Sequence, residues 1–349
     1  MADERFLIVR LSSLGDVVQT LPVLAALRDT FVRSQIEWLI DRRWQPLLAG
    51  NPDLNEAIPI GSRSIREFFR CAKRLREEHY TAVLDVQGLY KSALLARRAD
   101  ADRRIGFSWG VVRERAAALF YSERVKTDAV HIVDQNLAIA AAVGAKPETV
   151  RFPLYVPGDA QANVDQLLRS AGIERYVVLS PGGGWRYKRW PPERFGELAQ
   201  KLWDLHRYRI IVNAGPGELE LCEMVLASAG ISLPIVVQYD LPELMALLMR
   251  ADIVVAADTG PLHLASALGT PVVGLYGPTN PARNGPYSGR DIVIRHASDE
   301  DTTHDREDSD SEAMLSITLD EVVGAVEERL DRKVRDAERS SLARGSGSA

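Results

Sequence analysis

Short apolar runs alternate along the chain with stretches of helical period, and the alternation occurs twice. In the first half Phe6–Val9, Ile36–Ile40 and Thr81–Val86 read as strands. Between them, Asp16 to Phe31 places Val17, Leu21, Leu24, Ala25 and Leu27 on one helical face. Ser64–Glu78 reads as a basic helix and Val130–Val143 as another, while Asn51-Pro52 and Pro59 mark loops. Pro147, Pro153, Pro157 and Gly158 then break the pattern, so a linker is expected over Phe152–Gln161. The second half restarts with a helix over Val164–Ala171. Strands follow at Tyr176–Leu179, Arg209–Asn213, Ile235–Val237, Ile253–Ala257 and Pro271–Tyr276. Helices are expected at Pro192–Leu205, at Leu241–Met249 and from Pro261 to the stop at Gly269. Two successive strand–helix series predict an α/β protein of two Rossmann-like domains. The boundaries read as 1–155 and 160–297, then an acidic loop 298–313, a C-terminal helix 314–332 and a disordered tail 333–349.

Composition narrows the class. The 349 residues are 46% hydrophobic and 26% charged, which suits a globular protein of two domains. A net charge of −5 argues against a general nucleic-acid binder. Cys71 and Cys222 form no CxxC pair, which points to a reducing compartment and gives no metal signature. The N-terminus, MADERFLIVR, carries charges where a signal peptide needs an apolar core, so a cytoplasmic location is expected. Charge is unevenly spread. Gly61–Lys126 holds fifteen Lys/Arg against eight Asp/Glu, an excess that suits an anionic acceptor or the anionic face of a membrane.

Candidate chemistry sits in the turns that follow strands. Asp16 starts a helix, where a carboxylate is favoured by the helix dipole even without a catalytic role. Gly182, Gly183 and Gly184 let backbone N–H groups approach a ligand, with Lys188 close behind as a mobile positive charge. The spacing fits neither a P-loop nor GxGxxG, and a flexible loop with a solvated lysine is the plainer alternative. Asp258, Thr259, Gly260 and Pro261 open a helix at a strand's carboxyl edge, with His263 in its first turn. An ordinary capped turn has the same residues. Glu218, behind Gly215-Pro216-Gly217, is ordinary first-turn chemistry as well.

Four segments change the balance. Arg10–Pro22 (RLSSLGDVVQTLP), Asp85–Ser92 (DVQGLYKS), Pro181–Phe195 (PGGGWRYKRWPPERF) and Asp258–Pro281 (DTGPLHLASALGTPVVGLYGPTNP) resemble, in order, segments of glycosyltransferase family 9, the bacterial ADP-heptose:lipopolysaccharide heptosyltransferases. The SSLGD turn, QGLYKS and the IGFSW–LFY region look closest to the first-heptose enzyme, heptosyltransferase I. The resemblance implies the GT-B architecture, two Rossmann-like domains facing across a cleft, with acceptor on the first and nucleotide sugar on the second. It implies an inverting transfer with Asp16 as general base and Lys188 stabilising the departing diphosphate. It assigns Ser12, Gly15, Gly183, Gly184, Glu218, Asp258, Thr259, Gly260, Pro261 and His263 to the donor. Arg63, Arg66, Gln87 and Lys91 fall to the acceptor.

The implied partners are ADP-heptose and a Kdo-bearing lipid A, with peripheral contact at the cytoplasmic face of the inner membrane and no nucleic acid. No cofactor or metal is required, although Asp258 keeps a metal-ligand alternative open. Other readings stay open at this stage: a later core position or a protein as acceptor, a sugar-nucleotide epimerase on the same scaffold, or a non-catalytic binding protein.

Overall fold

The computed structural model describes residues 4–61, 65–230, 234–298 and 311–345, the last with side chains to Lys333. The chain divides into two compact units after Tyr155. The first contains strands β1 (Arg5–Val9), β2 (Gln35–Asp41), β3 (Glu56–Ile60), β4 (His79–Asp85), β5 (Asp100–Phe107) and β6 (Glu123–Val125). They form one parallel sheet in the order β3-β2-β1-β4-β5-β6. The second contains β7 (Tyr176–Ser180), β8 (Arg209–Asn213), β9 (Ile235–Val237), β10 (Ile253–Ala257), β11 (Val272–Tyr276) and β12 (Ile292–Arg295). Its parallel order is β12-β11-β10-β7-β8-β9. Counted from each unit's first strand, the two orders are the same. The winding direction reverses between β1 and β4 in one sheet and between β7 and β10 in the other. Open α/β sheets bind ligands at the carboxyl ends of such strand pairs.

Central strands are buried throughout, as β7, β10 and β11 show, because helices cover both faces of a parallel sheet. Each unit has its own apolar core, around Leu7, Val9, Leu39 and Val83 in the first and around Leu179, Phe195, Val255 and Leu275 in the second.

Several elements differ from the sequence expectation. The helix expected over Asp16–Phe31 is two helices, Leu14–Val18 and Leu21–Thr30. Pro22 has no N–H to continue the first one, and Thr20 Oγ1 donates to the Asp16 carbonyl at 2.8 Å. Pro59 lies in a strand, not a loop. β3 is a sheet edge, where a missing donor is tolerated. At the C-terminus, the helix expected over 314–332 is a short helix Glu312–Ser316 and a long one Leu319–Gly345, which covers much of the range expected to be disordered. Thr318 and Glu321 form a capping box, the Thr318 N–H donating to Glu321 Oε2 at 2.8 Å and the Glu321 N–H to Thr318 Oγ1 at 3.4 Å, and the residues beyond are mostly strong helix formers. The long helix is fixed to the second unit by a buried pair, Arg329 Nε to Asp291 Oδ1 at 3.1 Å, and Asp291 also accepts from Ser266 Oγ at 2.7 Å. The acidic stretch over 298–313 lies outside the described residues except at its two ends.

Candidate active site

In the first unit the turn after β1 carries Asp16 in the first turn of Leu14–Val18. Its Oδ2 accepts from the Ser13 N–H at 2.8 Å and the Ser13 hydroxyl at 3.0 Å. Its Oδ1 meets Arg10 Nη2 at 2.5 Å. Arg10 is itself buried, donating through Nη1 to the Val86 carbonyl at 2.6 Å, while the indole N–H of buried Trp38 donates to the Arg10 carbonyl at 3.1 Å. Burial raises the carboxyl pKa of Asp16. The Arg10 charge, the Ser13 donors and the nearby charge of Arg113 outweigh it and hold the group below its ordinary range. The side chain remains 29% exposed, so the result is an ionised carboxylate, fixed in orientation and open to solvent.

The turn after β4 is built to hold this arrangement. Asp85 is fully buried. Its Oδ1 accepts from the N–H groups of Gln87 (2.9 Å) and Gly88 (3.2 Å), and its Oδ2 from the Tyr121 hydroxyl at 2.9 Å. Gln87 then accepts the Leu11 N–H on Oε1 at 2.7 Å. The carbonyl of Gln87 thus ties the β4 turn to the β1 turn, next to Arg10, and is occupied there without any acceptor. Lys91 is half-buried at the start of helix Tyr90–Arg98, and Arg66 is exposed on helix Ile65–Arg74. Arg63 lies outside the described residues. Ser12 and Gly15 sit in the β1 turn, half-buried and buried.

In the second unit the turns after β7 and β10 come together. An added Cβ on Gly183 would stand 2.9 Å from Thr259 Cγ2, so glycine lets the two turns touch. Lys188 Nζ donates to Asp258 Oδ2 at 2.6 Å and lies 4.7 Å from the centre of the Trp185 ring. It is fixed, not mobile as expected, because a largely buried ammonium needs a charged partner. Asp258 Oδ1 bonds His263 Nε2 at 3.0 Å, and both side chains are 6% exposed. Burial would raise the Asp258 pKa, but the His263 hydrogen bond and the Lys188 charge hold it far below the usual carboxylate range. Both its oxygens are thereby engaged. Thr259 stands at the N-cap position of helix Gly260–Ala267, its hydroxyl donating to the Ala257 carbonyl at 3.1 Å, with Pro261 in the helix's first turn. Among the described residues no group of three or more His, Cys, Asp or Glu is placed to hold a metal ion.

The glycine loop is equally fixed. Glu218 Oε1 accepts from the Gly183 N–H and Oε2 from the Gly215 N–H, each at 2.8 Å. Arg189 donates to the Gly183 carbonyl through Nε (2.9 Å) and Nη2 (2.7 Å). The Glu218 carboxylate, expected at the donor, is here the loop's anchor. A Cβ on Gly182 would stand 1.9 Å from Glu218 Oε2. Gly182→Ala is therefore expected to displace that carboxylate, destabilise the second unit by about 1–3 kcal/mol and raise the KM for a nucleotide donor. Thermal melts and donor titrations check this.

Residues 68–314 match glycosyltransferase family 9 (heptosyltransferase). The chain belongs to that family. Lipopolysaccharide heptosyltransferase 1 of Escherichia coli K12 is 30% identical over 312 residues, 83% of this chain and 93% of that one. The solved structure of E. coli heptosyltransferase WaaC with ADP covers 94% of this chain and 98% of its own, with 27% identity and a TM-score of 0.74. A family 9 glycosyl transferase from Veillonella parvula aligns with a TM-score of 0.80 at 23% identity, covering 94% of this chain and 97% of its own, and shows the fold alone. The protein is thus a glycosyltransferase, and its two parallel six-stranded sheets are those of the GT-B heptosyltransferases. No helix among the described residues is long and apolar enough to cross a membrane.

This family 9 chain holds site residues that its sequence did not single out. Arg10, Arg113, Trp185, Arg189 and Tyr276 each touch or bias a predicted residue. Arg10 had a visible signal, an arginine directly after an apolar strand. Arg113 and Tyr276 had none, because only the fold brings them near Asp16 and Asp258.

Arg10 also yields a test. Removing its charge raises the Asp16 pKa, so the acid limb of the pH–rate profile moves to higher pH in Arg10→Gln. Asp16 stays ionised at pH 7 and kcat there falls by less than about 10²-fold. A pH profile with an unmoved limb would separate Arg10 from the charge of Asp16.

Proposed function

We propose that the protein is an inverting heptosyltransferase that moves heptose from ADP-heptose to the Kdo region of the lipopolysaccharide inner core. The observation that carries this is the pair of opposite charges at the two sheet reversals. A carboxylate is held ionised and solvent-accessible in the first unit, and an ammonium is held beside a glycine loop and a helix start in the second. Relatives named as lipopolysaccharide heptosyltransferases supply the sugar and the acceptor class.

In this reaction the acceptor hydroxyl attacks C1 of the heptose from the face opposite ADP. The bond from C1 to the diphosphate oxygen breaks, the new glycosidic bond forms and the anomeric configuration inverts. Asp16 takes the hydroxyl proton. Lys188, the Thr259–Gly260 backbone and the helix beginning at Gly260 offset the charge that develops on the leaving ADP, with no reorganisation at the moment of reaction. His263 and Asp258 keep Lys188 in place. Arg66, Lys91 and the exposed Arg113 meet the anionic groups of a Kdo-bearing lipid A, and the enzyme works at the cytoplasmic face of the inner membrane. No cofactor is assigned.

The test is ADP release from purified protein and ADP-heptose, with and without Kdo₂-lipid A, following the lipid by mass spectrometry. The expected result is acceptor-dependent release with a gain of one heptose. Release only with a core that already carries heptose would move the assignment to a later position. Isomerised donor without any acceptor would replace transfer by epimerisation.

A further inference from the structure

Helix Ile65–Arg74 has two unlike sides. Phe68, Cys71 and Ala72 pack it onto the core of the first unit, with Leu75 just beyond its end. The opposite side carries Ile65 (76% exposed) and Phe69 (59% exposed), one helical turn apart, next to the exposed cations Arg66, Arg70 and Lys73. Arg74 and Glu67 are spent on Glu56 and Arg42. The outward cations are not neutralised in the same way. Arg66 and Arg70 form no ion pair among the described residues, and Lys73 has only Glu77, at 4.0 Å. Phe69 keeps an edge-on contact with the Phe68 ring, 5.8 Å between centroids, but most of its surface and most of Ile65 stand in water beside the three cations. They match a surface that is anionic outside and apolar within.

We propose that helix Ile65–Arg74 is the membrane anchor of this protein, with Ile65 and Phe69 entering the acyl boundary of an anionic bilayer and Arg66, Arg70 and Lys73 lying among its headgroups. The occupant is fixed by charge and polarity together. This helix opens the segment Gly61–Lys126, which holds a strong cationic excess in a chain of net charge −5. A soluble anionic ligand would leave the two apolar side chains in water, whereas a bilayer takes up both kinds of group. The inference rests on the proposed work at the inner membrane, and it names the surface that makes the contact.

The experiment is co-sedimentation of the full chain with vesicles of phosphatidylglycerol and phosphatidylethanolamine, or of phosphatidylcholine alone, without sugar nucleotide. Wild-type protein is expected to bind the anionic vesicles, weakly at high salt, and to bind phosphatidylcholine little. The variant carrying Ile65→Ser and Phe69→Ser is expected to partition about a hundredfold less, since each apolar side chain leaving water contributes about one power of ten. Ile65 faces solvent and Phe69 gives up only its edge contact with Phe68, so the melting temperature should fall by no more than about 5 °C. Phe69→Trp reads insertion directly, through blue-shifted emission and quenching by brominated lipid. Equal binding by wild type and the double variant, or an unquenched Trp, would overturn the anchor. No binding of wild type to anionic vesicles would overturn it too. Heptose transfer to detergent-dispersed Kdo₂-lipid A tests the catalytic reading separately.

Discussion

Asp16→Asn is expected to lower kcat for heptose transfer by about 10²–10⁴-fold while ADP affinity stays within about twofold. Asparagine keeps an oxygen for the Ser13 N–H and hydroxyl, so the turn retains its geometry. It cannot take a proton. The pH dependence has a definite sign. Because Arg10 and Ser13 hold the native carboxyl below its ordinary pKa, the base form persists below about pH 3.9. Wild-type kcat should therefore be flat between pH 7 and pH 5. The substitution also leaves the buried Arg10 without its counter-charge, so a thermal melt belongs beside the kinetics, and Asp16→Glu serves as the charge-retaining control. Unchanged kcat in Asp16→Asn would remove the base assignment. Lost donor affinity with kcat intact at saturation would make Asp16 a binding residue.

The second large effect concerns stability. Asp258→Asn is expected to cost about 3–5 kcal/mol and lower the melting temperature by roughly 10 °C or more. The substitution removes the one negative charge between Lys188 and His263 and leaves a largely buried ammonium unpaired. The Asp258 pKa is depressed on folding. Its contribution is thus complete above the unfolded pKa of about 3.9 and is lost only as pH falls through the lower native value. The deficit of the variant should be full at pH 7 and shrink in strong acid. Catalysis should suffer as well, since Lys188 loses its fixed position. The double change Lys188→Met with Asp258→Asn is expected to recover part of the stability and none of the donor affinity. A melt of Asp258→Asn equal to wild type would show that the pair is not a strut of the second unit.

Strands written as unbroken apolar runs were legible in the sequence, at the centre of a sheet or, as with β9, at its edge, and the others were not. Arg209–Asn213, Ile235–Val237 and Ile253–Ala257 have the bounds that their apolar runs predict. β3, β5, β6 and β12 escaped notice because β3 contains Pro59, β5 begins with Asp100-Ala101-Asp102-Arg103-Arg104, and the outer β6 and β12 are short and incompletely buried. The site divides in a similar way. The turns bearing Asp16, Gly183, Lys188 and Thr259 could be found from glycine, proline and charge at strand ends. Their partners could not. The state of Lys188 depends on Asp258, seventy residues away in sequence, and nothing in the sequence showed that Gln87 and Glu218 also hold backbone N–H groups of neighbouring turns.

The repeated strand order has a consequence for how such a chain can change. Each sheet closes its own core, and each leaves its first and fourth strands to present a turn at the reversal. One blueprint thus carries a carboxylate open to solvent and backed by an arginine in one copy, and a lysine held by a buried aspartate in the other. New specificity can be written into either copy's turns without repacking its twin, so the preference for one substrate can drift while the grip on the other is preserved.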